Sequence, residues 1–271
     1  MNFSVRMQEG LKMELITSKN NASVVAAAKL SDKKYRERTG TFAFEGIKLF
    51  REAKAAGADF KQIFVTEAAY EKYRADFEGV DEKKLVLVTD AVYEKLSFEN
   101  APQGVFCVAA YFEPKAREDA SFVVLLDGVA DPGNFGAVLR SADAFGVDVI
   151  YAGAGSADRY NPKTARACMG SLFRMDVRRA DDLAAEVLRL REEGFRIYAT
   201  ALDSRSEDIR RVDLTGKIGF VIGNEGHGVS AAVLDACTGS VIIPMSEGPE
   251  SLNAAVASGV VMWEAARIRL K

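Results

Sequence analysis

Several absences narrow the class of this chain before any motif is read. The only long apolar stretch lies near the C-terminus and is broken by Glu264 and Arg267, so the sequence predicts no membrane span. The first residues carry Arg6, Glu9, Lys12 and Glu14 with no apolar run, which predicts no secretory leader. Cysteine is scarce. Cys107, Cys168 and Cys237 stand apart, giving neither a disulfide framework nor a zinc spacing, and a reducing cytoplasm is the expected home. Excess positive charge is missing too: the formal net charge is −3, which argues against holding nucleic acid by bulk electrostatics. Charge is uneven, however. The stretch Lys29 to Lys54 has eight basic and four acidic residues, a local patch as compatible with a solvated helix face as with RNA. There is no internal repeat and no low-complexity segment.

What is present is an ordinary globular composition. The 271 residues, 48% hydrophobic and 28% charged, suffice for one large domain or two modest ones. A polar, proline-bearing segment at Glu113–Asp119 separates two apolar runs and suggests domains at 1–115 and 116–271. The first half predicts helices over 21–31, 44–56, 67–75 and 91–97, alternating with strands at Gln62–Thr66, Leu85–Thr89 and Val105–Tyr111. The second half predicts strands at Phe122–Leu126, Val147–Tyr151, Arg196–Thr200, Ile218–Ile222 and Ser240–Ile243. Helical patterns near 134–145, 161–172, 181–193, 228–237 and 251–269 alternate with them. Near-continuous apolar strands separated by helices imply an α/β fold with a parallel sheet covered on both faces.

Three segments of the second half carry the chemistry. They are Asp127-Gly-Val-Ala-Asp-Pro-Gly-Asn-Phe-Gly-Ala-Val-Leu-Arg140, Ile222-Gly-Asn-Glu-Gly-His-Gly228 and Ile243-Pro-Met-Ser-Glu-Gly-Pro-Glu-Ser-Leu-Asn253. Each runs from an apolar strand into a glycine-rich turn, where exposed backbone N–H and C=O groups can hold a ligand. In this order they resemble the three motifs of the SpoU/TrmH family of RNA ribose 2′-O-methyltransferases, within the SPOUT superfamily. Gly40-Thr-Phe-Ala-Phe-Glu-Gly46 and Ala101-Pro-Gln-Gly-Val-Phe106 likewise resemble the ribosomal-protein-like substrate-binding domain that precedes the catalytic domain in many such enzymes. The resemblance implies a small N-terminal α/β RNA-binding domain, then a SPOUT domain whose C-terminal part forms a trefoil knot. It also implies S-adenosylmethionine as cofactor, no metal, and a homodimer that completes each site across a two-fold interface.

Each candidate residue has an ordinary role beside the implied one. Asn134, after Asp-Pro-Gly, and Ser251, before an apolar helix, are both placed as helix N-caps. Arg140 in an apolar helix is ordinarily snorkelling or ion-paired, and Glu225 in a Gly-Asn-Glu-Gly turn is ordinarily solvated. The resemblance makes Arg140, Asn134, Glu225, Ser251 and Asn253 catalytic. It assigns Gly223, Ile243 and Leu252, with Ala201 and Leu202, to the cofactor, largely through main-chain groups. Methyl transfer from a sulfonium to a sugar hydroxyl needs alignment and desolvation rather than a metal. Arginine is too weak an acid to serve readily as a general base, so the favoured role for Arg140 is hydrogen-bond donation to developing negative charge. Arg36 and Arg38, before Thr41-Phe-Ala-Phe44, are the expected RNA contacts. The only histidine, His227, is a turn residue without assigned chemistry. The terminal helix, with Val256, Val260, Val261, Trp263 and Ala266, is ordinarily core and by resemblance also a dimer face.

The extra N-terminal domain points to ribosomal (23S) RNA as substrate. A tRNA ribose methyltransferase, an antibiotic-resistance enzyme and a non-catalytic ribosome-assembly protein are the alternatives. A dinucleotide-binding fold is suggested by Val147–Ser156, but the third glycine of that fingerprint is replaced by Asp158. Two departures from the family pattern are the acidic Ser246–Glu250 stretch and an Ala-Ala-Val start to the helix after Asn253.

Overall fold

The computed structural model describes residues 3–6, 12–202, 206–246 and 251–269. Its first half contains β1 (Phe3–Arg6), β2 (Lys12–Ile16), α1 (Ala22–Ala28), α2 (Lys33–Thr39), β3 (Thr41–Glu45) and α3 (Ile47–Ala55). Then follow β4 (Phe60–Thr66), α4 (Glu67–Lys72), β5 (Leu85–Val88), α5 (Asp90–Leu96) and β6 (Val105–Ala110). The second half contains β7 (Phe122–Asp127), α6 (Pro132–Ala144), β8 (Val149–Gly153), α7 (Pro162–Cys168), β9 (Asp176–Ala180) and α8 (Leu183–Glu192). It ends with β10 (Arg196–Thr200), β11 (Glu207–Asp208), β12 (Ile218–Gly223), α9 (Ala231–Ala236), β13 (Gly239–Ile242) and α10 (Ala254–Arg269).

These elements fall into two units, Met1–Glu113 with Tyr160–Phe173, and Pro114–Arg159 with Arg174–Lys271. The chain therefore passes between units after Glu113, after Arg159 and after Phe173. Residues 160–173, expected among the helices of the second half, belong to the first unit.

In the first unit six strands form one sheet in the order β1-β2-β5-β4-β6-β3. The pairs β2–β5 and β5–β4 are parallel; β1–β2, β4–β6 and β6–β3 are antiparallel. The helix expected over 44–56 begins only at Ile47, because Thr41–Glu45 is a strand. Gly46 separates them with φ +101°, a conformation that residues with a Cβ rarely adopt. Along β3 side chains alternate, so Ala43 faces a core with Val24, Phe64, Val92 and Phe106. Phe42 and Phe44 point the other way, 4.7 Å from Tyr160 and 5.5 Å from Phe173 between ring centroids. The segment 160–173 thus supplies the cover for that side of β3.

In the second unit seven strands, all parallel, take the order β11-β13-β10-β12-β7-β8-β9. One face packs Val123, Leu125, Val149, Ile197 and Val221 against Leu183, Val187 and Leu190 of α8 and Val233 and Ala236 of α9. On the remaining elements α10 lies against both α6 and β12. Both edge strands went unread in the sequence. β9, Asp-Val-Arg-Arg-Ala, carries the charges typical of an edge and so lacks an apolar signature. The unit also answers the dinucleotide reading: no helix begins directly after Gly155, the next one starting only at Pro162, and an added Cβ at Gly153 would lie 2.9 Å from the Leu126 carbonyl oxygen. The glycine there serves close strand packing.

Candidate active site

In a parallel sheet every strand delivers its following loop to the same edge, and ligands of such folds bind there. The register pairs Gly223 with Asp127, so the turn after β12 stands beside the loop after β7. Thr200, at the end of β10, pairs with Val241 of β13. All three motifs therefore open at one edge of the sheet.

Local chemistry then fixes the side chains. The N-cap of α6 is Asp131, whose Oδ1 accepts the Asn134 N–H at 2.8 Å, with Pro132 at the first helical position. Asn134 is thus not the cap the sequence suggested; it sits in the first turn with its amide free for other work. That amide donates from Nδ2 to Glu225 Oε1 at 2.9 Å and accepts at Oδ1 from Asn253 Nδ2 at 3.0 Å. Asn253 Oδ1 accepts the N–H groups of Ala255 (2.9 Å) and Val256 (3.3 Å), making Asn253 the N-cap of α10. The cap is therefore Asn253, and Ser251, the expected one, is exposed two residues earlier.

The polarity of this chain of amides follows from its ends. The Glu225 Oε1 accepts, so it selects the Nδ2 side of Asn134. The cap bonds select the Oδ1 side of Asn253. Asn134 is left with one arrangement that satisfies both neighbours. Residues from three motifs, 91 and 119 positions apart in sequence, are joined in this way.

Arg140 is not brought to this cluster within one chain. Six residues beyond Asn134 on α6, it lies roughly 9 Å further along the axis and about 120° around it. It is exposed and makes no hydrogen bond or ion pair to another described residue. α6 and α10 run side by side in the same direction: Asn134 meets Asn253, Ser141 lies by Gly259, and Phe145 packs on Trp263 at 5.7 Å. Of the terminal helix, Val261 and Ala266 are buried, whereas Val256, Val260 and Trp263 are exposed on one stripe at 53%, 38% and 49%. Their spacing of four and three residues makes a continuous apolar strip beside α6.

The residues assigned to the cofactor all lie at the same sheet edge. Gly223 admits no side chain, since a Cβ would run into the backbone of Gly228 and Val229. Ala201 has its N–H committed to Val241 O (3.2 Å) and its carbonyl accepting from Ser206 Oγ (2.8 Å). It can therefore shape a pocket but has little hydrogen bonding to offer. Leu202 and Leu252 expose apolar side chains at 61% and 36% on the loops after β10 and before α10. Ile243 follows β13 directly, half-buried. Asp203 and residues 247–250, which include Glu247 and Glu250 of the acidic stretch, lie outside the described residues. Exposed apolar side chains around main-chain groups and a close-approach glycine suit a nucleoside with a short aliphatic arm.

Two residues of the motifs had no role assigned from sequence. Asn224 Nδ2 donates to Gly128 O at 2.7 Å, while its Oδ1 accepts from Gly226 N and His227 N. Asp127 Oδ2 accepts from Ser230 N at 2.7 Å. The available signal was modest: an Asn opening a glycine turn, and an Asp closing an apolar strand. Among the described residues no three His, Cys, Asp or Glu side chains gather as a metal site.

In the first unit the assignment of Arg36 to RNA is corrected. Arg36 is buried at 1% exposure and donates through one guanidinium nitrogen to Leu30 O (2.7 Å) and Ser31 O (2.9 Å). It closes the turn between α1 and α2, satisfying carbonyls that helix ends leave unpaired. Arg38 is exposed, its guanidinium 4.8 Å from the centre of the Tyr35 ring. Glu45, at the end of β3, accepts from Ser97 Oγ, Phe98 N and Tyr93 Oη; burial pushes its pKa up.

The SpoU rRNA methylase family matches residues 121–263, and an MRM3-like substrate binding domain matches residues 21–107. A Bacillus subtilis relative, the 23S rRNA (guanosine(2553)-2′-O)-methyltransferase RlmP, is 33% identical over 252 residues, covering 93% of this chain and 98% of its own. The AdoMet-bound rRNA methyltransferase from Sinorhizobium meliloti superposes with a TM-score of 0.83 at 29% identity, over 96% of this chain and 99% of that one. The SpoU methyltransferase AviRb from Streptomyces viridochromogenes, in complex with AdoMet, gives 0.82 at 27% identity, over 93% and 99%. With the three motifs gathered at one sheet edge, the chain belongs to the SpoU rRNA methylase family and is an S-adenosylmethionine-dependent RNA methyltransferase.

Proposed function

We propose that this enzyme methylates a ribose 2′-hydroxyl of 23S ribosomal RNA in the cytoplasm, acting as a homodimer. The observation that carries the ribose reading is the ordered Glu225–Asn134–Asn253 cluster at the carboxyl edge of the parallel sheet. S-adenosylmethionine supplies an electrophilic methyl group on a sulfonium, so the protein has to align the hydroxyl and exclude water. Gly223, Ile243 and Leu252 would hold it by main-chain groups, with Leu202 covering it. Asn134 and Asn253 present a fixed pattern of amide donors and acceptors to the ribose. Arg140 donates hydrogen bonds to the oxygen as negative charge develops there, a contribution of about 10²–10³ in rate for a single well-placed donor.

The position of Arg140 supports a dimer. On α6 it lies about 120° around the axis from Asn134, and the neighbouring α10 exposes Val256, Val260 and Trp263. A second copy seated on that strip, related by a two-fold axis, buries the apolar residues and brings its Arg140 toward the first copy's cluster. The C-terminal segment through β13 and α10 is proposed to thread the trefoil knot of SPOUT enzymes. The first unit, with Arg38 on its surface, grips RNA.

Mapping ribose methylation on total RNA from cells with and without the gene tests the assignment. Loss of one 2′-O-methyl mark in 23S RNA is the expected result; a mark lost only from tRNA, or no change, would overturn it.

A further inference from the structure

The catalytic cluster is held in register by a residue outside it. Glu225 is carried on the turn 224–228, closed at its base by two backbone hydrogen bonds between Asn224 and Gly228. Asn134 is carried on α6, which begins at the end of the loop from Gly128 to Asp131. These two supports arise from strands adjacent in space but 96 residues apart along the chain. Asn224 joins them with one side chain. Its Oδ1 takes the Gly226 and Gly-adjacent His227 N–H groups, which stiffens the turn, a common duty of Asn at such positions. Its Nδ2 does something the turn does not require: it reaches out to Gly128 O at 2.7 Å. Gly128 holds φ +72° there, and a Cβ at that position would come within 3.8 Å of Asn224 Cβ and Nδ2.

We propose that Asn224 is a positioning residue for methyl transfer, setting the spacing between the Glu225 turn and the Asn134 helix. This rests on the methyltransferase reading above. The amide acts through Glu225, whose carboxylate fixes which way the Asn134 amide faces. If the turn drifts from Gly128, the Glu225–Asn134 bond lengthens and Asn134 is free to flip. Flipping turns its Nδ2 donor toward the Asn253 Nδ2 donor and removes the ordered pattern the ribose meets. A misplacement of about 1 Å in such a cluster costs on the order of 100-fold in rate.

The substitution that isolates this duty is Asn224→Asp. It keeps the size of the side chain and an oxygen to accept the Gly226 and His227 N–H groups, so the turn survives. It replaces the donor facing Gly128 O with an oxygen. On 23S RNA from cells lacking the gene, kcat is expected to fall on the order of 10- to 100-fold. KM for RNA and Kd for S-adenosylmethionine are expected to stay within about threefold, because ground-state contacts are untouched. Asn224→Ser, too short to reach Gly128, should show the same loss of kcat with KM and Kd likewise preserved. Unchanged kcat in Asn224→Asp overturns the proposal. So does a loss matched in cofactor affinity and melting temperature. Wild-type protein on the same RNA separates the two levels: no transfer by wild type sinks the function, whereas equal transfer by both sinks the positioning role alone.

Discussion

Asn253 performs two tasks with opposite ends of one amide, and a pair of substitutions pulls them apart. Oδ1 caps α10 by accepting from Ala255 N and Val256 N, while Nδ2 donates to Asn134 Oδ1 at 3.0 Å. Asn253→Ala removes both. Loss of an N-cap costs about 1 kcal/mol, and the lost side-chain hydrogen bond about another 1 kcal/mol. For a chain of this size that sum is worth a drop of roughly 4–8 °C in melting temperature. Asn253→Asp keeps an oxygen for the cap and sets a negative charge at the helix N-terminus, where the peptide dipoles favour it by about 0.3–1 kcal/mol. Its cost is confined to the cluster, where an oxygen now faces Asn134 Oδ1. The melting temperature should recover to within a few degrees of wild type in Asn253→Asp, whereas methyl transfer should stay depressed on the order of 100-fold in both variants. Scanning calorimetry and a tritiated methyl-transfer assay on the same preparations give the two readouts. Activity in Asn253→Asp near that of wild type would refute the idea that the amide polarity of the cluster matters. A melting temperature as low as that of Asn253→Ala would refute the cap.

Other expectations follow from the same geometry. Arg140→Ala should lower kcat by about 10²–10³ while calorimetric S-adenosylmethionine binding changes little, since it loses a donor used only as charge develops. Arg36→Ala should destabilise the protein by about 1–3 kcal/mol in denaturant titrations, because it strips buried carbonyls of their donor. Arg38→Ala should leave stability intact, weaken RNA binding and reduce its salt slope by about one, measured by filter binding at several salt concentrations. Trp263→Glu should shift the protein to monomer in light scattering and abolish transfer. Glu45 has a folded-state pKa raised by burial, so the native state binds its proton more readily than the unfolded chain does. Its contribution to stability therefore improves as pH falls from 7 toward the ordinary carboxyl value near 4.5, and Glu45→Gln should lose that slope.

The parallel sheet and the meeting of motifs could be read in advance, because fully buried strands leave apolar runs and glycine turns mark where they end. Finer placements failed for identifiable reasons. At both helix starts the sequence offers competing caps, Asp131 against Asn134 and Ser251 against Asn253, all with suitable side chains. Pro132, fixed in φ and lacking an N–H, is what selects Asp131, and that clue was there to be used. Arg36 looked like its charged neighbours; its burial depends on a turn five and six residues earlier whose carbonyls needed a donor. β3 went unread, with only Phe44 and Glu45 taken into the helix expected over 44–56, because Phe42, Ala43 and Phe44 form an apolar run without two-residue alternation. The partner of Phe42 and Phe44 lies more than 100 residues away at Tyr160 and Phe173, and no local pattern reports it.

That last pairing bears on modularity. A gene cut between Glu113 and Pro114 does not yield two self-sufficient pieces, because residues 160–173 would remain with the second piece while their packing partners left with the first. Tyr160, Cys168, Leu172 and Phe173, all buried in the intact chain, would be stripped of cover on the shorter product. A catalytic fragment beginning at Pro114 should be sticky and poorly soluble, however well its parallel sheet forms. Chimeras that exchange the RNA-gripping half between relatives should succeed only when the 160–173 insert travels with it. Recombination between such genes is thus constrained to two simultaneous exchanges, and the two halves are expected to have shared one evolutionary history.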